Sequence, residues 1–274
     1  MSPRTLLRPA MLAATVLLTI ATTAPAQTCG DVSGDDNVTA SDALLVLKKA
    51  VGQNVDVVCT GECAELQERV AQLEALLASF SVVGDTVVLT GKNFQIVSGS
   101  GSTAGEVNGT GNLIVGYNEG VGAQERSGSH NIVVGREHEY TSFGGIVAGN
   151  TNTIDGPEAT VLGGKENVAS GDAASVSGGA GNEASGNLSS IAGGSDNAAT
   201  KLYATVAGGF ANNATGIHSS VAGGCENAAT ATFAHVSGGQ SNEATKDWAV
   251  VSGGLNRAAA NFHDWVAGGL LQDN

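Results

Sequence analysis

Aromatic side chains make up only 4% of the 274 residues, charged side chains 14%, and there are four prolines. So few aromatics exclude a broad conventional core, in which Phe, Tyr and Trp supply much of the buried area. Basic residues are also scarce. Twelve Lys and Arg face 26 Asp and Glu, a net charge of −14 that argues against nucleic acid or an anionic membrane surface as partner. After residue 26 no run is long and apolar enough to span a bilayer. Motifs of chemistry are missing as well: no G-x-S-x-G elbow, no H-E-x-x-H, and no G-x-x-x-x-G-K-S/T phosphate loop, the one Gly-Gly-Lys, at Gly163 to Lys165, being followed by glutamate. What fills the chain is glycine, 40 in all, and the glycines are periodic, which indicates order and not low complexity.

From Val161 onward V-x-G-G recurs every 15 residues, at Val161, Val176, Ile191, Val206, Val221, Val236, Val251 and Val266. Ile146, in the looser I-V-A-G, is expected to hold the same place one period earlier. Counted from the residue before the valine, the eighth place is Asn152, Asn167, Asn182, Asn197, Asn212, Asn227 and Asn242. The tenth is Ile154, then Ala169, Ala184, Ala199, Ala214, Ala229, Ala244 and Ala259. Such a unit is too short for a helix pair, whereas two short strands joined by Gly-Gly and Asn-containing turns fit one coil of a β-solenoid. Glycine supplies positive φ, and asparagine tolerates the left-handed region. Coils stacked about 4.8 Å apart form parallel sheets with columns of identical side chains. An interior of Val and Ala is thin, so further burial is expected from other chains, a homotrimer with alanines lining the contact being the economical arrangement.

Units such as SVSGGAGNEASG and TVAGGFANNATG resemble the head repeats of trimeric autotransporter adhesins, the YadA-like head. That resemblance implies a left-handed parallel β-roll in a three-chain bundle. It covers residues 145 to 274 well and extends more loosely through GTGNLIVGYNEG and SGSHNIVVGREHEYTSFGG. The chain departs from the family in its 15-residue unit, against about 14, and in Gly-Gly where Ile-Gly is usual. The expected fold is therefore all-β, a left-handed parallel β-roll of 15-residue rungs, preceded by a small α-helical calcium-loop module and a short coiled-coil helix.

Residues 1–26 read as a secretory signal: Arg4 and Arg8, an apolar stretch from Met11 to Ile20, then Ala24-Pro25-Ala26 before Gln27. The expected location is secreted, extracellular or at the cell surface, with no membrane span once the signal is removed. In an oxidising compartment Cys29 would pair with Cys59 or with Cys63; Cys225, alone in the roll, reads as a surface substitution without a role.

Residues 31–42 place side-chain oxygens at positions one, three, five, nine and twelve of a loop, at Asp31, Ser33, Asp35, Thr39 and Asp42, with Asn37 offering its carbonyl at seven. That is the spacing of an EF-hand-type calcium site, because calcium takes six to eight oxygen ligands. The stretch CGDVSGDDNVTASDALLVLKKAVG resembles one half of a dockerin type I repeat, which implies a calcium loop leading into one helix. Two departures are the Asp36 in place of glycine at position six and the single copy. Next, Cys63, Leu66, Val70, Leu73, Leu77 and Phe80 alternate at three and four, a short heptad seam. Residues 81–101 read as entry strands into the roll. The segments are then 1–26 signal, 27–63 calcium loop and helix, 64–80 stem, 81–126 entry strands and irregular rungs, and 127–274 roll.

His130, Glu137, His138 and Glu139 are the one cluster of His and carboxylates, without metal-site spacing. Ser170, Ser185, Thr200, Thr215, Thr230 and Thr245 form a hydroxyl ladder at the eleventh place, expected to serve turn hydrogen bonds. Places thirteen and fourteen turn aromatic toward the C-terminus, as Tyr203, Phe233, Trp248 and Phe262 show. Exposed aromatics mark contact surfaces. The reading is of a structural adhesin-like protein and not an enzyme, with copies of itself and an extracellular protein or glycan surface as partners. The alternative is a docking component that binds through the calcium module. Neither a membrane anchor nor self-transport is expected, and the rung from Trp265 to Leu271 is expected to expose strand edges that invite stacking or a covering partner.

Overall fold

The computed structural model describes residues 40–50, 53, 62–120 and 124–268. The signal segment, the loop positions Asp31, Ser33, Asp35, Asn37 and Thr39, and Cys29 and Cys59 lie outside the described residues, as do the side chains of Asp42 and Cys63. The chain divides into two compact units, Met1–Phe94 and Gln95–Asn274.

In the first unit, α1 (Ala40–Ala50) is the helix expected after the loop, and α2 (Glu62–Leu77) carries the heptad positions from Cys63 to Leu77, while Phe80, expected to close the seam, lies beyond the helix and opens a strand. Val70, Leu73 and Leu77 are 47%, 56% and 59% exposed, so this part of the seam is largely uncovered among the described residues. The expected entry strands take another form: β1 (Phe80–Val83) and β2 (Thr86–Leu89) pair antiparallel with each other, Val83 opposite Thr86, across a two-residue turn opened by Gly84 at φ 59°. Glycine fits the first place of such a turn because φ is positive there.

The second unit is a parallel β-solenoid. One sheet of eleven strands, the valine sheet, runs from β3 (Leu113–Val115) through β4 (Ile132–Arg136), β6 (Ile146–Asn150) and β8 (Thr160–Val161) to Trp265–Val266. The second, of nine strands, runs from β5 (Glu139–Tyr140) through β7 (Thr153–Ile154) to Ala258–Ala259 and is the alanine sheet. Strand pairing keeps the 15-residue step from Thr160 onward, as in Thr160 with Ser175 and Val168 with Glu183.

Before that point the step differs. Ile132 pairs with Ile146 and Ile146 with Thr160, two steps of 14, while Leu113 pairs with Ile132 across 19. The register corrects one expectation: Val147, fully buried, and not Ile146, stands in line with Val161. The sequence spacing misplaced it by one because β6 to β8 is a shorter coil.

Four columns fill the interior: the valines, the asparagines, the tenth-place alanines, and the fifteenth place, Ala159, Ala174, Ser189, Ala204, Ser219, Ala234 and Ala249. The tenth-place alanines are fully buried inside one chain, so they do not line a contact between subunits. The asparagines correct a second expectation. They are not the left-handed turn residues; those are the seventh place, such as Glu166 (φ 59°) and Asp196 (φ 56°), and the fourteenth, such as Ala173 (φ 51°) and Trp248 (φ 63°). The conformation reverses the peptide. Strand N–H groups donate forward to the next coil, as Thr160 does to Ala174 O at 2.9 Å, whereas Glu166 and Ala173 donate back to Asn150 O at 3.2 Å and Pro157 O at 2.8 Å.

In the pair Gly193-Gly194 only the second is sterically required, whereas in later pairs the first also holds a positive φ, from 155° at Gly208 to 133° at Gly253. A Cβ at Gly194 (φ 87°) would collide with Gly209 O of the next coil, whereas one at Gly193 meets nothing within 4 Å.

Candidate functional surface

The asparagine column is a closed hydrogen-bond ladder. At Asn182, the side-chain oxygen accepts the backbone N–H of Asn197 at 3.1 Å and its side-chain N–H at 3.0 Å. Asn182 Nδ2 in turn donates to Gly178 O of its own coil at 3.1 Å and Gly194 O of the next at 3.0 Å. Each amide therefore ties its own coil to the next with no buried polar atom left over, which is what burial of an amide demands, and Asn182 Nδ2 also reaches back to Asn167 Oδ1 at 3.0 Å.

His138 occupies this same column one coil before Asn152. It is fully buried. Its Nδ1 lies 3.2 Å from the N–H of Asn152, and its Nε2 lies 3.1 Å from Val134 O, four residues back, as Nδ2 of each asparagine does with its glycine. Nε2 has only a carbonyl as partner and so carries the proton, whereas Nδ1 has both the Asn152 N–H, which it accepts, and the Asn152 carbonyl oxygen at 3.3 Å beside it. Burial holds its pKa below the ordinary histidine range, and the charge of Arg126 adds to the effect. The cluster read in REHEY is thus split by the fold: His138 is structural, Glu137 accepts from Thr151 Oγ1 at 3.2 Å, and Glu139 sits on the alanine sheet opposite Thr153. His130 accepts from Ser98 N–H at 3.0 Å and borders a cavity of about 420 Å³ lined by Gln95–Val97 and a Ser/Gly loop. Among the described residues no three His, Cys, Asp or Glu side chains gather as a metal site.

The surface columns sort by chemistry. On the outer face of the alanine sheet lie Glu139, Asp155, Glu183 and Glu243 beside the hydroxyl ladder, in which Thr245 donates to Ala259 O at 3.5 Å. The outer face of the valine sheet, the first and third places, carries no Asp, Glu, Lys or Arg from Leu113 to Trp265. It begins apolar, with Leu113, Val115, Ile132, Val134 and Leu162 exposed, continues as Ser, Ala and Thr, and carries His235, Val250 and Trp265 on its last three strands. A shallow groove of about 350 Å³ runs there over Ala192, Ala207 and Ala222. Ser220 Oγ is 2.6 Å from His235 Nδ1 beside this groove, but His235 Nε2 pairs with Ser237 Oγ at 3.0 Å, so no carboxylate orients the ring for nucleophilic work.

The fourteenth place makes a third surface. Tyr203, His218, Phe233, Trp248 and His263 stack face to face, with centroids 4.7, 4.8, 4.1 and 6.3 Å apart and planes within 13° of parallel. Because each ring covers its neighbour, the ladder offers edges to solvent and not faces. Cys225 lies in the sixth-place column between Phe210 and Gln240, half-buried and free.

No protein-family model matches the chain, and no curated protein matches it in sequence. Among the described residues no helix is long and apolar enough to cross a membrane.

Proposed function

We propose that the protein is a secreted or cell-surface structural protein, adhesin-like, that makes repetitive surface contacts as a homotrimer of left-handed β-rolls. The observation that carries the reading is the charge-free outer face of the valine sheet. In a chain with a net charge of −14, the first and third places of eleven strands hold no Asp, Glu, Lys or Arg, and Arg136, at the end of β4, is the one charged residue in the strands of that sheet. At about 4.8 Å per strand the face is roughly 50 Å long. A surface of that length, apolar at its first coils, small-residue along its middle and ending on Val250 and Trp265, suits close packing against a second copy of itself. The exposed heptad seam of α2 is a second place where copies would meet, and a short coiled coil fused to a trimeric roll sets its register. Function then lies in what the outer columns touch, the acidic and hydroxyl alanine face and the aromatic ladder. No convergent catalytic group argues for turnover.

The second reading, an extracellular docking component, rests on the oxygen spacing of Asp31, Ser33, Asp35, Asn37, Thr39 and Asp42, which would hold calcium ahead of α1. A pull-down from an extracellular fraction, using the chain with and without residues 27–63, separates the two. Partners retained without the segment favour the roll as the contact surface; partners lost with it, and lost again on calcium chelation, favour docking.

A further inference from the structure

We infer that the coil Val251–Trp265 is a built-in terminator that stops a further coil, from this chain or another copy, from stacking on that end of the roll. Every coil from Val161 to Val250 fills its interior columns with Val or Ile, Asn, Ala, and Ala or Ser. The coil that begins at Val251 departs at two of the four, with Arg257 in the asparagine column and Asp264 in the fifteenth place.

Each departure alters how a next coil connects: Arg257 withdraws an acceptor, and Asp264 takes a donor that at Gly216 is shared between Ser219 Oγ and Ala229 O of the next coil. The backbone N–H of Arg257 still reaches back to Asn242 Oδ1 at 2.9 Å, so the ladder below is closed. Above it, Arg257 has no acceptor for the N–H of a following asparagine, because guanidinium only donates. Its stem also occupies the corner. At Gly194, Gly209 and Gly224 the atom closest to an added Cβ is the carbonyl oxygen of the next coil's glycine, whereas at Gly254 no glycine oxygen is near and Arg257 Cγ shares the corner with Gly268 Cα, each at 3.2 Å.

Asp264 works on the other corner. The twelfth-place N–H donates forward to the next coil at Gly186 and Gly216, to Ala199 O at 3.1 Å and Ala229 O at 3.3 Å. Asn261 N–H, at the same place, instead donates to Asp264 Oδ2 at 2.9 Å, and its Nδ2 donates to the same oxygen at 3.0 Å. The donor is satisfied within its own coil. A neighbour stacked on this end would bury an arginine and an aspartate in columns that elsewhere hold neutral side chains, and inward-pointing charge is an effective guard on a sheet edge.

The test is insertion of a second copy of residues 236–250 into the full chain at two places, read by amide hydrogen exchange. Placed between Val250 and Val251, below the two charges, the copy gains protection like its neighbours. Placed between Trp265 and Val266 in the otherwise unchanged chain, it stays unprotected. In the Arg257→Asn, Asp264→Ala background the copy at the second place becomes slower to exchange by at least about 100-fold. Protection of the second-place copy without the substitutions overturns the inference. So does its continued exposure in the double variant and in both single variants while the coils from Val161 to Val250 remain protected.

Discussion

Replacing Asn182 by alanine isolates what the ladder contributes. The substitution leaves the buried N–H of Asn197 without the oxygen it reaches at 3.1 Å, and leaves Gly178 O without the donor at 3.1 Å. Gly194 O loses one of two donors and keeps the N–H of Ala180 at 3.0 Å. An orphaned buried donor or acceptor costs about 1–3 kcal/mol, so two together predict a loss of about 2–6 kcal/mol. Asn213→Ala is the control, the same chemical change one place along the coil on an exposed strand position, where about 0.5 kcal/mol or less is expected. Asn182→Asp adds a sharper arm: it keeps the acceptor for Asn197 but points a carboxylate at two carbonyls, so it should be at least as damaging as alanine at neutral pH and recover in part on acidification. Stability in repeat arrays is local, so the assay is hydrogen exchange of the coils from Val176 to Ala204, backed by urea unfolding. If Asn182→Ala matched Asn213→Ala within about 0.5 kcal/mol, the ladder would be ornamental and the reasoning refuted.

Gly194→Ala should disrupt its coil and reduce soluble yield, because the methyl meets the next backbone at a left-handed φ, whereas Gly193→Ala should fold normally; the pair differs by one position and is read by urea midpoint. His138 is buried neutral with a lowered pKa while the unfolded chain protonates near pH 6.5, so stability is full above that value and falls as pH drops from it toward the folded pKa. His138→Asn should flatten that dependence, and an unchanged pH profile would contradict a histidine buried in its neutral form. Phe233→Ala removes two ring stacks, with His218 and Trp248, and should cost about 1–3 kcal/mol, seen as faster exchange in the coils on either side.

The period of 15 was legible because each coil repeats the same valine, glycine and alanine, and strand pairing follows it from Thr160 onward. Periodicity alone does not say which columns face inward. Asparagine has two physical uses, as a left-handed turn residue and as a buried amide that bridges coils, and only the geometry separates them. His138 was hidden because its coil is 14 residues long, which placed an isolated imidazole out of step with the asparagines that it mimics. The charge-free valine face could have been read from the first and third places, had the outward columns been compared for charge and not only for aromatics. Arg257 and Asp264 were visible too, as breaks in two otherwise uniform columns.

The central claim is that this thin roll works as several copies packed on an uncharged face. Light scattering of residues 27–274, with calcium and after chelation, tests it most directly. The account predicts the mass of three chains in both conditions, falling to one chain when Ala207→Glu and Ala222→Glu place charge on the face. A single-chain mass for the unsubstituted protein would contradict it.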